Sequence, residues 1–490
     1  MKKNRIAIVL LVSIFICSCN EKEFLNEVPN AISTESFFNS SADFEQGVNA
    51  CYAGLRAVYS GAFAGSFMLM GELRSDNTTV EVTTLNAALA WMYDIDKFIE
   101  NEGNPHLLET WNNAYTAIGI CNNLLYYIDT KGEGVDGIDR YKAEAKFIRA
   151  LLYYHVAMYW GNVPLVTTKV NTMAEAFELN KQVSREVVYE QIVSDLNEAK
   201  ANLPESYDAG NRGRATSGAA MTLLAEVLMW QNKYTEAEAE LVAVVNSNKY
   251  QVLDDYSSVF SVNNELNDEI IFACQFYGGA PYIHGSNHMY TYSPSTSDRL
   301  PFAQDNITTG MNMPTQSLIE SFEEDDIRLG MIDTTFIDDN MGDDFRGSIV
   351  PFTKKYWDPN HEVRFVTGSD VPIYRYPHVL LMLAECYLNS GAGDPLPLVN
   401  QVRQRAGLPD LSDASLEDII QERRMEFHCE NDRWGVLVRT GKVLEVMTAH
   451  GIEQKQQRVS YRSPAFDNIK IFFPIPGNVI SVDPTMQQNP

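Results

Sequence analysis

Two short apolar runs separated by four residues constrain the fold more than any other feature of this chain. Ala219 to Trp230 sets the small residues Ala219, Ala220 and Ala225 between Leu223, Leu224 and Leu228. Gln231-Asn232-Lys233-Tyr234 breaks the pattern, and Thr235-Glu236-Ala237 opens a second run to Asn246. The spacing is that of the α-helix, and the alanines let two helices cross closely. Such a pair cannot bury its apolar face alone and needs further helices stacked on it. The chain supplies them. Asp43–Tyr59, His106–Ile128, Tyr141–Trp160 and about Ser184–Asn202 all carry apolar residues at helical spacing. The third stops at Gly161-Asn162-Val163-Pro164, where glycine caps and proline cannot continue. The fourth ends before Pro204.

The 219–246 pair, with its Tyr-x-Glu-Ala start to the second helix, resembles a tetratricopeptide hairpin. A second copy runs from Ile373 to Arg405 around the break Gly391-Ala392-Gly393, and looser pairs are read at 106–160 and 415–446 (helices 415–429 and 431–446). The fold class expected is therefore mainly α, with about four helical pairs, near 106–160, 216–247, 373–406 and 415–446. Long non-repeat segments interrupt them, so an open solenoid is not expected. Residues 60–104 and 250–372 are rich in Gly, Asn, Asp, Ser, Thr and aromatics and read as irregular, with short strands at Ile270–Cys274 and Val371–Tyr374. Long irregular segments in a compact protein are usually functional or disordered, and these are too aromatic for disorder.

The amino terminus sets the location. Lys2, Lys3 and Arg5 precede an apolar run, Ile6 to Ile16, that is too short to span a bilayer. Ile16-Cys17-Ser18-Cys19 then resembles the bacterial lipobox, with Cys19 as the lipidated residue, residues 1–18 as signal peptide and 19–30 as tether. Several acyl chains on one cysteine, at about 0.8 kcal/mol per buried methylene, anchor stably where one chain does not. Asn20-Glu21-Lys22-Glu23 resembles the acidic signal that sends lipoproteins to the cell exterior. Removing the signal takes away three positive charges and no acid, so the formal −27 becomes −30. Such a surface repels phosphates and anionic headgroups, which excludes nucleic acid as a partner. The remaining cysteines (Cys51, Cys121, Cys274, Cys386, Cys429) are odd in number and show no CxxC pair or disulfide framework. Cys51, Cys121 and Cys386 lie in apolar helical contexts and read as small core hydrophobes.

Residues spread along the mature chain resemble the SusD/RagB family of outer-membrane nutrient-binding lipoproteins. They occur in family order: the lipobox with Phe24-Leu25; Trp111 to Leu125; Ala143-Glu144-Ala145-Lys146-Phe147 with Arg149; Gly161-x-Val163-Pro164-Leu165; Gly213-Arg214-Ala215-Thr216. Tyr374-Arg375-Tyr376, Val402 to Pro409, Glu422-Arg423-Arg424, Asp432-Arg433-Trp434 and Gln488-Asn489-Pro490 complete the set. The resemblance implies one helical domain over 31–490 and no enzymatic activity. It also implies a SusC-like TonB-dependent transporter as partner, to which a captured oligosaccharide, or in some members a peptide, is handed. A purely protein-binding adaptor and a hydrolase are the other readings. Arg149, Arg375, Arg405, Arg423 and Arg424 read as structural ion pairs, because unpaired buried charges are costly.

A sugar offers an apolar C–H face and an edge of hydroxyls, which an aromatic platform flanked by Asp, Asn or Arg matches. Stacking over on the order of 50–100 Å² gains about 1–3 kcal/mol. Two regions have that composition. One holds Arg74, Asp76, Asn77, Trp91, Tyr93 and Asp94, although Ser75-Asp76 also reads as a cap or turn. In the family, this stretch contributes stacking and hydroxyl-binding residues, which singles out Trp91. The other is 276–292, where Tyr282, Asn287, Tyr290 and Tyr292 stand among glycines without an apolar period.

Other chemistry is set aside. Gly132-x-Gly134-x-x-Gly137 matches a dinucleotide fingerprint, but a helix precedes it and Glu133 and Asp136 would repel a pyrophosphate. His284-x-x-x-His288 lacks the glutamate of a zinc helix. The acidic runs 323–326 and 338–344 lack calcium-hand alternation, so a structural calcium is not predicted. No GxSxG elbow is present, and no cofactor is expected.

Overall fold

The computed structural model describes residues 37–60, 65–80, 87–294, 309–337, 349–457, 465–483 and 485–489. The signal, Cys19, the tether and the acidic run 338–344 lie outside them. Among the described residues there are seventeen α-helices and only short strands. The principal helices, in chain order, are α1 (Ser41–Tyr59), α2 (Phe67–Leu73), α3 (Ala87–Asp96), α4 (Pro105–Lys131), α5 (Ile138–Trp160), α6 (Arg185–Asn202), α7 (Ser217–Trp230) and α8 (Tyr234–Asn246). They continue as α9 (Tyr376–Ser390), α10 (Leu396–Arg405), α11 (Leu416–Glu426), α12 (Arg433–Arg439) and α13 (Val443–Gln457). The fold is mainly α, a stack of TPR-like helical hairpins.

Local signals account for the helix ends. Ser40 and Asp43 cap α1 reciprocally, the Asn104 side chain caps α4 ahead of Pro105, and Gly161 at φ +70° ends α5. The Gly132–Gly137 stretch joins α4 to α5, as a helix-connecting loop should. Neighbours stack in the order α1, α4, α5, α6, α7, α8, α9. Helix α6 lies between α5 and α7, a place in the stack outside the four expected pairs. Helix α8 packs directly on α9, so the stack continues although 129 residues separate Asn246 from Tyr376. One apolar core runs through all of these helices.

Two expectations need correction. The 431–446 helix is two helices, because Thr440-Gly441 interrupts it with Gly441 at φ +74°. The 60–104 stretch is not wholly irregular. It contains α2 and α3, and the Ala87-Ala88-Leu89-Ala90 start of α3 has high helix propensity.

The strands β1 (Thr78–Thr79), β2 (Ile270–Cys274), β3 (Met313–Pro314) and β4 (Val371–Arg375) pair antiparallel as β1–β3 and β2–β4. The β2–β4 pair joins two strands that the sequence predicts singly. It brings the two ends of the 250–372 segment together, with Ile270 opposite Arg375 and Cys274 opposite Val371.

Buried charge fastens this segment to the helices. Arg375 bonds Glu426 at 2.8 Å and Glu430 at 2.8 Å, and Lys355 bonds the Glu426 carbonyl at 3.1 Å. Arg328 reaches Glu422 at 2.6 Å, and Arg405 reaches Glu269 at 3.1 Å. Each carboxylate answers more than one cation, which offsets the desolvation that makes isolated buried charges unfavourable. The arginines named from sequence are thus structural, but several partners differ from those nearby in sequence. Arg149 pairs with Asp195 through two 2.8 Å bonds, while Glu144 takes Arg214 at 3.0 Å.

Candidate functional site

The 276–292 segment leaves β2 and folds against the 356–370 segment that leads into β4. Phe276 N–H donates to Asp370 Oδ1 at 2.8 Å, and Ser286 and Thr367 exchange two 2.8 Å backbone bonds. Glycine is required where the two segments touch. A Cβ on Gly285 would stand 2.4 Å from Val366 Cγ1, and one on Gly278 would stand 2.9 Å from the Gly368 nitrogen. At the outer turn Tyr277 N–H donates to the His284 carbonyl at 2.9 Å. That turn presents Tyr277, 59% exposed, and Ile283, 73% exposed. Tyr282 is half-buried, in the left-handed region at φ 60°, and its hydroxyl donates to Glu362 Oε2 at 2.6 Å. The hydrogen bond to Glu362, and then its charge, raises the Tyr282 pKa, so the phenol stays protonated and a donor.

Tyr290 and Tyr292 do not belong to this surface. Tyr290 is buried, its ring centroid 4.7 Å from Phe365 and its hydroxyl 2.6 Å from His361 Nε2. His361 Nδ1 lies 2.8 Å from the Asp358 carbonyl, which leaves Nε2 to accept from the phenol. Tyr292 is buried against His288 and Tyr356. Both rings are core for an irregular segment that has no helix of its own. Asn287 is half-buried, and its carbonyl accepts the Tyr290 and Thr291 amides in the turn before the 288–291 helix.

The other region divides in the same way. Arg74 is fully buried, its guanidinium 3.9 Å from the Phe473 ring and 4.6 Å from Phe98, and it donates to Glu100 at 2.8 Å. Burial lowers its pKa, and Glu100 opposes that. Asp76 is buried and held by Arg433 and Arg424. Burial alone would raise its pKa, but the two guanidiniums hold it well below the usual carboxylate range. Asn77 is buried and accepts Arg424 Nε at 2.9 Å. All three side chains are thereby engaged inside the fold and offer no surface to a sugar. Trp91, on α3, is 40% exposed, and its carbonyl accepts Asn104 Nδ2 at 2.9 Å. Tyr93 is half-buried, with the Lys97 ammonium 5.8 Å over its ring. Asp94 is half-buried, and burial and then Glu100 push its carboxyl up to about 6.

Backbone bonds join the two regions into one layer. Thr79 pairs with Met313, Met311 N–H donates to the Thr291 carbonyl at 2.8 Å, and Thr309 N–H donates to Tyr290 at 3.2 Å. Sequence reasoning did not place the 361–366 turn beside Tyr282. The only signal was a second run of aromatic and charged residues, Trp357 to Phe365, without helical period. Among the described residues no three His, Cys, Asp or Glu side chains converge as a metal site. Glu323 bonds Arg403 at 2.6 Å, and Asp326 bonds Arg328 at 2.7 Å. No helix among the described residues is long and apolar enough to cross a membrane.

A helical-hairpin scaffold that exposes Tyr277 on a loop-built layer and Trp91 on α3 has the layout of a binding protein. The family models agree. One described as SusD family matches residues 346–490, and one described as starch-binding, associating with outer membrane, matches 23–229. The chain belongs to the SusD/RagB family, which associates with the outer membrane. It is 25% identical to SusD-like protein P25 of Formosa agariphila, over 98% of this chain and 97% of that one. It is 24% identical to the starch-binding protein SusD of Bacteroides thetaiotaomicron, over 74% and 76% of the two chains. Among solved structures, surface glycan-binding protein A from Bacteroides thetaiotaomicron, in complex with laminarihexaose, superposes with a TM-score of 0.77. That match has 24% identity and covers 92% of this chain and 100% of that one.

Proposed function

We propose that this protein is a lipoprotein anchored through Cys19 on the outer face of the outer membrane. There it binds an oligosaccharide and passes it to a SusC-like TonB-dependent transporter. The observation that carries the reading is family membership over a chain that exposes Tyr277 on its loop-built layer and Trp91 on α3. Trp91, Tyr282 and Tyr277 are the stacking residues in this proposal, with Tyr93, Asn287, Asp94 and Glu362 as hydroxyl partners. Aromatic faces supply apolar area, and carboxylates and amides supply acceptors for several hydroxyls at once. Ordering of sugar and side chains offsets much of the gain, so affinity at one site is modest. No cofactor is invoked. Relatives named for starch and for laminarin define the first ligands to try. The test is calorimetry of the purified mature chain against α-glucan and β-1,3-glucan oligosaccharides, a wider glycan set and a peptide panel. Saturable binding to a glycan is expected. Binding confined to peptides, or no glycan binding across the set, would overturn it. Palmitate labelling of Cys19 and co-purification with a barrel transporter test anchoring and delivery separately.

A further inference from the structure

The helix Met173–Leu179 has no buried side chain. Helices shorter than about 12–15 residues are marginal in water unless one face is packed, so seven residues standing free call for a partner. Between this helix and α4 runs a groove of about 340 Å³. Tyr115, Ile118 and Val166 line it on the buried side, and Val170, Phe177 and Val482 are exposed along it. Met173, which also faces it, is 75% exposed. Exposed apolar side chains are ordinary singly, but several along one groove mark a contact surface. The described chain begins beside this groove. The Phe38 ring stacks on Tyr127 with centroids 4.8 Å apart. Lys169, a groove residue, donates to the Tyr127 hydroxyl at 2.9 Å and stands 4.9 Å over the Tyr126 ring. Tyr127 lies one turn of α4, about 6 Å, past Asn123, which lines the groove. The chain that precedes Phe37 therefore starts from one end of the groove.

We propose that the groove is the docking site of this chain's own amino-terminal segment, Val28-Pro29-Asn30-Ala31-Ile32. The lengths agree. The α4 side of the groove, from Tyr115 to Asn123, is about 12 Å long. Four extended steps from Val28 to Ile32 cover about 13 Å, and five more reach Phe37 within about 17 Å. Pro29 disfavours a helical backbone at Val28 and favours the extended form that a groove of this width accepts. In that form Val28 and Ile32 fall on one side of the segment and enter the groove together. A second copy or another protein would have to bring its apolar residues from solution. The chain's own segment is held within a few residues of the site, at an effective concentration of order millimolar. Docking leaves residues 19–27 as the free leash, about 30 Å at full extension, where 19–36 would span about 60 Å. With Cys19 as the anchor, the groove thus halves the distance by which the helical stack can leave the membrane. That consequence rests on the proposed anchoring, and the docking itself does not.

The test uses the full mature chain from residue 19, carrying Cys19→Ser so that it is soluble and adds no thiol. Met173 oxidation by hydrogen peroxide, followed by peptide mass spectrometry, reads the cover on the groove. Val28→Asp with Ile32→Asp should speed sulfoxide formation at Met173 about threefold or more, because oxidation follows exposure. In a second arm, Ile32→Cys is combined with Phe177→Cys under mild oxidation. A cross-link within one chain, found by non-reducing peptide mapping, is the expected product. The five native thiols from Cys51 onward are buried and stay out of the reaction. Equal Met173 rates in parent and double variant, or a cross-link only between two chains, would overturn the proposal. So would Met173 protection that appears only when phosphatidylethanolamine vesicles are added, which would give the groove to a lipid surface. The substitutions at 28 and 32 lie outside the helical stack, so the readout does not depend on a variant with an altered core.

Discussion

Arg433 holds Asp76 through two parallel hydrogen bonds of 2.8 and 2.9 Å, although 357 residues separate them in the chain. Arg424 adds a third bond, so the pair locks the turn after α2 against α11 and α12. Removing one partner of a buried pair leaves an uncompensated charge and costs about 3–5 kcal/mol. Asp76→Asn should therefore lower stability by about that much in denaturant titration while leaving glycan affinity of the folded fraction unchanged. The Asp76 pKa is depressed in the folded state, so its stabilisation is complete above the unfolded value of about 3.9 and is lost as pH falls below it. The stability difference between wild type and Asp76→Asn should shrink below about pH 4. A large loss of affinity with unchanged stability would return Asp76 to the ligand site.

A second pair makes the opposite pH prediction. Asp370 N–H donates to Glu265 Oε1 at 3.0 Å beneath the 276–292 segment, and Asp370 Oδ1 accepts the Phe276 amide. Burial, then Asp370, pushes Glu265 up to about 8, and burial pushes Asp370 up to about 7. The folded protein keeps protons here that the unfolded chain releases near pH 4. Stability contributed by this pair is therefore present at about pH 4 and declines as pH rises through 8. Glu265→Gln replaces the proton with an amide and should remove most of that slope. At pH 8 the variant should be more stable than wild type by roughly 2 kcal/mol, and near pH 4 the two should match. Parallel urea midpoints at the two pH values would refute this.

The helical stack was legible because its signal is local. Apolar residues at a period of 3.6 and the stop at Gly161 specify α1, α4 and α5 within a few residues. The candidate site was only half legible. In a segment without period, composition cannot say which rings point inward. Tyr282 and Tyr290 look alike in sequence, yet one stands at a turn bonded to Glu362 and the other is buried on Phe365. Nor can a sequence show that Arg74 is closed in by Phe98, Trp434 and Phe473, since two of those rings come from the distant carboxyl-terminal part of the chain.

Trp91 separates binding from folding most cleanly. With 40% of its surface exposed, truncation removes little core contact. Trp91→Ala should weaken glycan binding at least tenfold, equivalent to about 1.4 kcal/mol, with the melting temperature nearly unchanged. Isothermal titration beside differential scanning calorimetry measures both. Unaltered affinity would remove Trp91 from the site.

The glycines at the loop contact test whether the layer must stay closed for the aromatics to act together. An alanine at Gly285 would place its Cβ 2.7 Å from Val366 Cα, a backbone atom that cannot rotate away. The two segments would have to separate by several tenths of an ångström, straining the paired Ser286–Thr367 bonds. Overpacking of this kind costs about 1–3 kcal/mol. The displacement would also move Tyr282 relative to Glu362, because they sit on opposite sides of the contact. Gly285→Ala should thus reduce both stability and glycan affinity, whereas Tyr277→Ala, at an exposed position, should reduce affinity alone. Equal affinities for wild type and Gly285→Ala, measured by titration well below the melting temperature, would mean that the 276–292 segment does not hold the ligand.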